Sequence, residues 1–351
     1  MKYLKRVLPY VGALALIALL LRQIDPGDVT TLLTSANVGW LLIGCGWYVL
    51  TNLLRACRYG VLLNMSGPLA PLRLLPEMFA LSFLNNVLPS RAGELSFPYF
   101  MARRHGIAVG ESASVLVASR IFDYLAVACL YVIFTAWEFS HLDARSAQIV
   151  GGVALLLLLS TTLLAAAPWL LNTLLHLLTW LLQRAGLSET AQRWVQDAGR
   201  QAVVTFARIR NWRTYGLTFG WSLLIWLATF AWFGALLSAI GLPQRYPLVV
   251  VGSTFASLAK ALPFITIGGF GAHEAGWTIG FTLTGMETAM AISSGFAVNI
   301  LTLLMSVLFG GVTLLFIGGS SRSASGQRSS EAPNVDTPPE TPPASAAALK
   351  Q

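Results

Sequence analysis

The chemistry available to this chain concentrates in two polar stretches that interrupt long apolar runs. They are Leu88-Pro89-Ser90-Arg91-Ala92-Gly93-Glu94 and Leu262-Pro263-Phe264-Ile265-Thr266-Ile267-Gly268-Gly269-Phe270-Gly271-Ala272-His273-Glu274. Each puts a helix breaker, glycine and a carboxylate where a membrane protein normally has leucine. Ionisable groups at bilayer depth are costly, so paired interruptions of this kind point to a substrate or ion pathway.

Arg120 and Asp123 lie three residues apart in the apolar run 112–135, which sets them on one helix face. They can pair with each other or meet Arg91 and Glu94. An arginine there suits a phosphate or carboxylate, because its planar fork donates two parallel hydrogen bonds. A buried salt bridge that merely locks the hairpin to the helix is the competing expectation.

The second stretch offers Lys260, His273 and Glu274, with Gly268, Gly269 and Gly271 able to bring backbone N–H groups close to an anion. Glycine also serves plain helix packing in membranes. Glu94 and Glu274, one from each stretch, are expected to share one polar cavity near the membrane midplane. His273-Glu274 opens like a zinc-protease HExxH, but the second histidine position holds Trp277, so no metal site is expected. GxSxG, Walker and phosphatase-type patterns do not occur. Movement of a substrate is therefore favoured over bond-making: no enzyme activity and no cofactor are expected.

The elements that must position these residues follow from composition. Of 351 residues 55% are hydrophobic and 11% charged, and the mean hydropathy is +0.66. That is a polytopic all-α membrane protein, without β-barrel alternation. The net charge of +8 does not imply nucleic acid, since Lys and Arg gather at the ends of apolar runs, where they act as topology signals. Arg55, Arg58 and Arg73 are read in this way. Cys45, Cys57 and Cys129 have no metal-ligand spacing and read as small buried hydrophobes.

Six segments are long and apolar enough to cross, at about 7–21, 38–62, 112–135, 148–167, 215–240 and 288–317. Basic residues place both termini and the 168–214 region on the cytoplasmic side. Two regions, about 74–100 and 247–284, then begin and end on one side each, as re-entrant or broken hairpins entering from opposite faces. The order span, hairpin, span occurs twice, in 38–135 and 215–318, with opposite orientation, consistent with an inverted repeat. Glu111 precedes Asp123 by the offset at which Glu287 precedes Asn299. The remaining divisions are a signal anchor and loop (1–37), a span with a basic amphipathic connector (136–214), and a Ser/Pro-rich disordered tail (319–351).

The stretches LPSRAGELSFPYFMARRHGI, ESASVLVASRIFDYL and LPFITIGGFGAHEAG resemble the transmembrane domain shared by lysylphosphatidylglycerol synthases and stand-alone flippase-like integral membrane proteins. The resemblance covers roughly residues 5 to 318. Its motif positions here are Arg91, Gly93, Glu94, Arg120, Asp123, Gly269, Gly271 and Glu274. It implies a flippase that moves a polar-headgroup lipid across a bacterial inner membrane. Its partners would be membrane lipids, anionic, aminoacylated or of another polar kind, with a lipid-synthesising enzyme as a further candidate. The soluble aminoacyltransferase domain of the synthases has no counterpart in this sequence, so lysyl transfer by this chain is not expected. An intramembrane lipid-modifying enzyme and a non-catalytic partner of such an enzyme are the rival readings.

Overall fold

The computed structural model describes residues 26–63, 65, 70–138, 147–157, 159, 184, 211–261 and 269–314. Ten α-helices fill these segments, and no strand occurs among the described residues. They are α1 (Pro26–Thr34), α2 (Val38–Leu62), α3 (Ala70–Val87), α4 (Ser96–His105), α5 (Val109–Glu138), α6 (Ala147–Leu157), α7 (Trp212–Ala239), α8 (Tyr246–Ala261), α9 (Ala272–Leu283) and α10 (Thr288–Ser306). A wider π turn, Val307–Gly311, carries α10 on as far as Leu314.

Four of these helices are long and apolar enough to cross a membrane: α2, α5, α7 and α10 with its extension. At 1.5 Å per residue, even the 25-residue α2 reaches about 37 Å, beyond the roughly 30 Å of hydrocarbon. Their outer faces carry large apolar side chains such as Leu42, Val117, Leu224 and Leu304. Exposed Trp40, Trp137 and Trp212 sit near helix ends, where indole rings favour the membrane–water boundary. The expected crossing at 7–21, the second half of that at 148–167, the amphipathic connector to residue 210 and the tail lie outside the described residues.

Helix ends fix the orientation of the bundle. The Asn37 N–H at the start of α2 donates to the Ala239 carbonyl at the end of α7 at 2.8 Å, so these two long helices run antiparallel. Arg245, just before α8, meets Glu138 at the end of α5 at 2.8 Å. Glu77, fully buried midway along α3, receives Arg104 at 3.0 Å and His105 at 3.2 Å from the end of α4. The α3 and α4 legs therefore return to the end of the bundle where α2 finishes, whereas α8 starts at the other end.

The regions 74–100 and 247–284 each hold two antiparallel helices, of 18 and 10 residues in the first. In the first, Pro89 and the residues after it break the α-helix into a 3-10 turn, Pro89–Leu95, before α4 begins. In the second, the legs α8 and α9 span 16 and 12 residues, about 24 and 18 Å. These two legs touch backbone to backbone. A Cβ at Gly280 would overlap the Gly252 carbonyl, and one at Gly276 would lie 2.6 Å from the Phe255 oxygen. The Gly276-x-x-x-Gly280 spacing thus supplies the close approach that membrane helices reach through small residues. Packing partners exchange between the halves: α5 lies against α8, and α10 lies against α3.

Candidate functional site

The described residues of the two hairpins border one partly open cavity of about 190 Å³. From α2 it takes Tyr48, Arg55, Arg58 and Tyr59, from α3 Ser82, Asn85 and Asn86, and from α5 Arg120 and Asp123. Trp226 and Thr229 of α7, Ser257 and Lys260 of α8, Gly269, and Thr302 of α10 add further polar and small groups, and Met78, Leu81, Leu88, Trp232, Phe233 and Ala259 supply its apolar wall. A smaller void of about 100 Å³ continues past Arg55, Arg120 and Asp123 toward Tyr124, Ile225 and Leu258.

Asp123 is the centre of the ion-pair network. Arg58 grips it with both nitrogens, Nη1 to Oδ1 at 2.5 Å and Nη2 to Oδ2 at 3.3 Å. Arg58 is 2% exposed and also donates from Nη1 to Ser222 Oγ at 2.9 Å. The Trp226 indole N–H donates to Asp123 Oδ1 at 3.2 Å. Arg120 Nη1 approaches Asp123 Oδ2 at 3.4 Å, and its Nη2 meets Glu94 Oε1 at 2.6 Å. Arg120 is thus the link between the first hairpin and Asp123, whose main partner comes from α2. Four elements (α2, the 3-10 turn, α5 and, through Ser222 and Trp226, α7) cannot separate here without breaking charge-assisted bonds.

The reading of Arg55 and Arg58 as topology markers is overturned. Both lie in the last two turns of α2 on the face that carries Tyr48 and Asn52, so they point into the bundle and line the cavity. Arg55 Nη1 donates to Ser82 Oγ at 3.3 Å, and Ser82 in turn donates to Asn52 Oδ1 at 2.7 Å. The spacing of polar residues 48, 52, 55 and 59 along an otherwise apolar helix is the signal that marks this face.

The second hairpin builds a separate chain of bonds. Lys260 Nζ donates to Asn299 Oδ1 at 3.1 Å, and Asn299 Nδ2 donates to Glu274 Oε1 at 2.9 Å. Glu274 Oε2 accepts the Gly271 N–H at 2.6 Å, which ties the first turn of α9 back to its N-cap as the N3 half of a capping box does. Gly271 holds φ +88° to make that turn, and Gly269 holds φ +72°. The Lys260 side chain lies across Gly269, so that a Cβ there would sit 2.7 Å from Lys260 Cε. His273 is 1% exposed and packs against Trp277, with ring centroids 5.3 Å apart. Neither of its ring nitrogens finds a hydrogen-bond partner among the described residues.

Neither Glu94 nor Glu274 lines the cavity, contrary to the expectation that both carboxylates would face it. Each stands one layer behind a cation that does: Glu94 behind Arg120, and Glu274 behind Lys260 by way of Asn299. Gly93 packs on the backbone of α3 at Leu84 and Asn85, closer than any side chain would allow. The side chain of Arg91 and the residues 262–268 lie outside what is described. Among the described residues no group of three or more His, Cys, Asp and Glu side chains converges as a metal site would.

The family model described as the lysylphosphatidylglycerol synthase TM region matches residues 6–325. No curated protein and no solved structure matches the chain. The chain belongs to the family of the lysylphosphatidylglycerol synthase TM region, and it is a membrane protein tied to lipid biology.

Proposed function

We propose that this member of the family is a lipid translocase, not an enzyme, which moves a polar-headgroup lipid between the leaflets of a bacterial inner membrane without a nucleotide site. The observation that carries this reading is a cavity lined by Arg55, Arg58, Arg120, Lys260 and Asp123 inside a bundle of apolar helices. Charges held at this depth need a polar client or one another, and a headgroup in transit is such a client. The bilayer would keep the acyl chains while the cavity takes the headgroup.

Two further features support alternating access. The hairpins enter from opposite ends of the bundle, and α5 against α8 repeats α10 against α3. We read these as inverted repeats with re-entrant hairpins, both termini on the cytoplasmic side, around a site that both hairpins line. In this reading the ion pair of Arg120 with Glu94, and the chain from Lys260 to Glu274, open and close as the hairpins rock.

Reconstitution into liposomes tests the reading. Purified protein should redistribute short-chain fluorescent phospholipids between leaflets, as read by quenching of the outer leaflet, and Arg120→Ala should abolish the redistribution. Mass spectrometry of the same lipids should find no covalent change. Altered lipid mass without leaflet exchange would replace the translocase by an enzyme.

A further inference from the structure

We infer that the cavity selects headgroups whose phosphate carries an uncompensated negative charge, so that the substrate class is an anionic phospholipid, with Arg55 as the selecting residue. This rests on the translocase reading for its lipid, and on the cavity wall for its charge. Four cationic side chains face the void against the single carboxylate of Asp123.

The carboxylates behind the wall do not restore balance. Asp123 is gripped by Arg58, Glu94 holds Arg120, and Glu274 reaches Lys260 through Asn299. Arg55 makes no ion pair with a carboxylate of the described residues, and it meets Ser82 through a single nitrogen. A guanidinium has five N–H donors, so four remain to meet the oxygens of a phosphate. Ser82 supplies no counter-charge, because its hydroxyl is neutral: it accepts from Arg55 and gives its own hydrogen to Asn52. Asn85 and Asn86, one turn further along α3, line the same wall and can orient the remaining polar atoms of a headgroup.

A headgroup that brings its own ammonium, whether zwitterionic or aminoacylated, would set that cation beside Arg55, the cation of this wall that no carboxylate of the described residues offsets. Within a partly enclosed cavity such repulsion is less screened than at an open surface. The consequence is selection by charge, not by headgroup size. Free phosphodiesters share the same chemistry, and only a contribution from the acyl chains separates them from the lipid.

The test uses the full chain in detergent with dihexanoyl phosphatidylglycerol, its ethanolamine and lysyl counterparts, and glycerophosphoglycerol as the chain-free headgroup. We expect phosphatidylglycerol to bind at least about tenfold more tightly than either counterpart, as a like charge placed beside the Arg55 guanidinium requires. Arg55→Gln should bring the three lipids to within about twofold of one another. Its melting temperature without lipid should match the parent, and Arg55→Lys should keep part of the preference. Equal binding of the three lipids by the parent, or an unchanged preference in Arg55→Gln, overturns the inference. Glycerophosphoglycerol binding as tightly as the lipid would overturn the lipid source. If liposomes show exchange of all headgroups alike, the selection fails and the translocase stands. If anionic lipid binds selectively but no leaflet exchange occurs, the translocase fails and the selective site stands.

Discussion

Arg58 and Asp123, 65 residues apart in the chain, meet fork to fork and join α2 to α5 inside the bundle. Both side chains are at least nine-tenths buried, so each would be an expensive orphan without the other. Removing Arg58 alone should therefore be worse than removing both. Arg58→Ala should cost on the order of 3 kcal/mol of stability, since Arg120 compensates Asp123 only in part. The double change to Arg58→Leu with Asp123→Leu should recover most of that loss, as read by thermal unfolding in detergent, while leaflet exchange stays lost. Equal unfolding of the single and double variants would contradict this.

Arg120 and Glu94 are the more exposed pair, 30% and 21%. Screening leaves such a pair about 1 kcal/mol of coupling in a double-mutant cycle. Arg120→Ala should thus fold normally and fail in transport. A melting temperature lowered as far as in Arg58→Ala would make the pair a structural lock instead.

Glu274 satisfies two buried donors, the Gly271 N–H and the Asn299 amide. Glu274→Ala leaves both without an acceptor and should destabilise the protein by roughly 1–3 kcal/mol. Glu274→Gln keeps one acceptor, so it should unfold at an intermediate temperature. A loss of transport in Glu274→Gln at unchanged stability would give this carboxylate a direct part in translocation beyond capping α9.

Gly280 faces the Gly252 carbonyl at a distance no side chain fits. Gly280→Ala should force α8 and α9 apart and cost about 1–3 kcal/mol, as overpacking does elsewhere. Gly216, with nothing within reach of an added Cβ, is the control: Gly216→Ala should be neutral or stabilising. Unfolding curves of the two variants decide, and equal behaviour would discard the close contact.

Ser82 and Thr302 both line the cavity from opposite halves. With Cys45, Cys57 and Cys129 replaced, single cysteines at 82 and 302 should react with small charged thiol reagents, and faster with an anionic than a cationic one. Reaction only with lipid-soluble reagents would mean the void does not communicate with water.

Hydropathy alone places the long helices. The apolar run 38–62 is the helix Val38–Leu62, and the runs 112–135, 215–240 and 288–317 each coincide within a few residues with α5, α7 and α10. Helix formation there depends on local composition, since every backbone group in hydrocarbon must bond within its own segment. The Pro-Gly stretches at 89–94 and before 274 also announce themselves, because proline and glycine interrupt a helix whatever surrounds them. The three-residue spacing of Arg120 and Asp123 puts them on one face in any fold.

What only tertiary structure decides is which face of a helix meets which neighbour. Arg55 and Arg58 sit near the end of an apolar run, and counting charge along the chain treats them as headgroup contacts. Their burial follows from Asp123 and Ser82, contributed by α5 and α3, and no local rule reveals those partners. The same holds for Glu94 and Glu274, which share a sequence setting. Glu94 meets an arginine of α5, while Glu274 turns back onto its own helix start and an asparagine of α10. Carboxylates are placed by where their donors end up, and donors 25 residues or more away are set only when the helices pack.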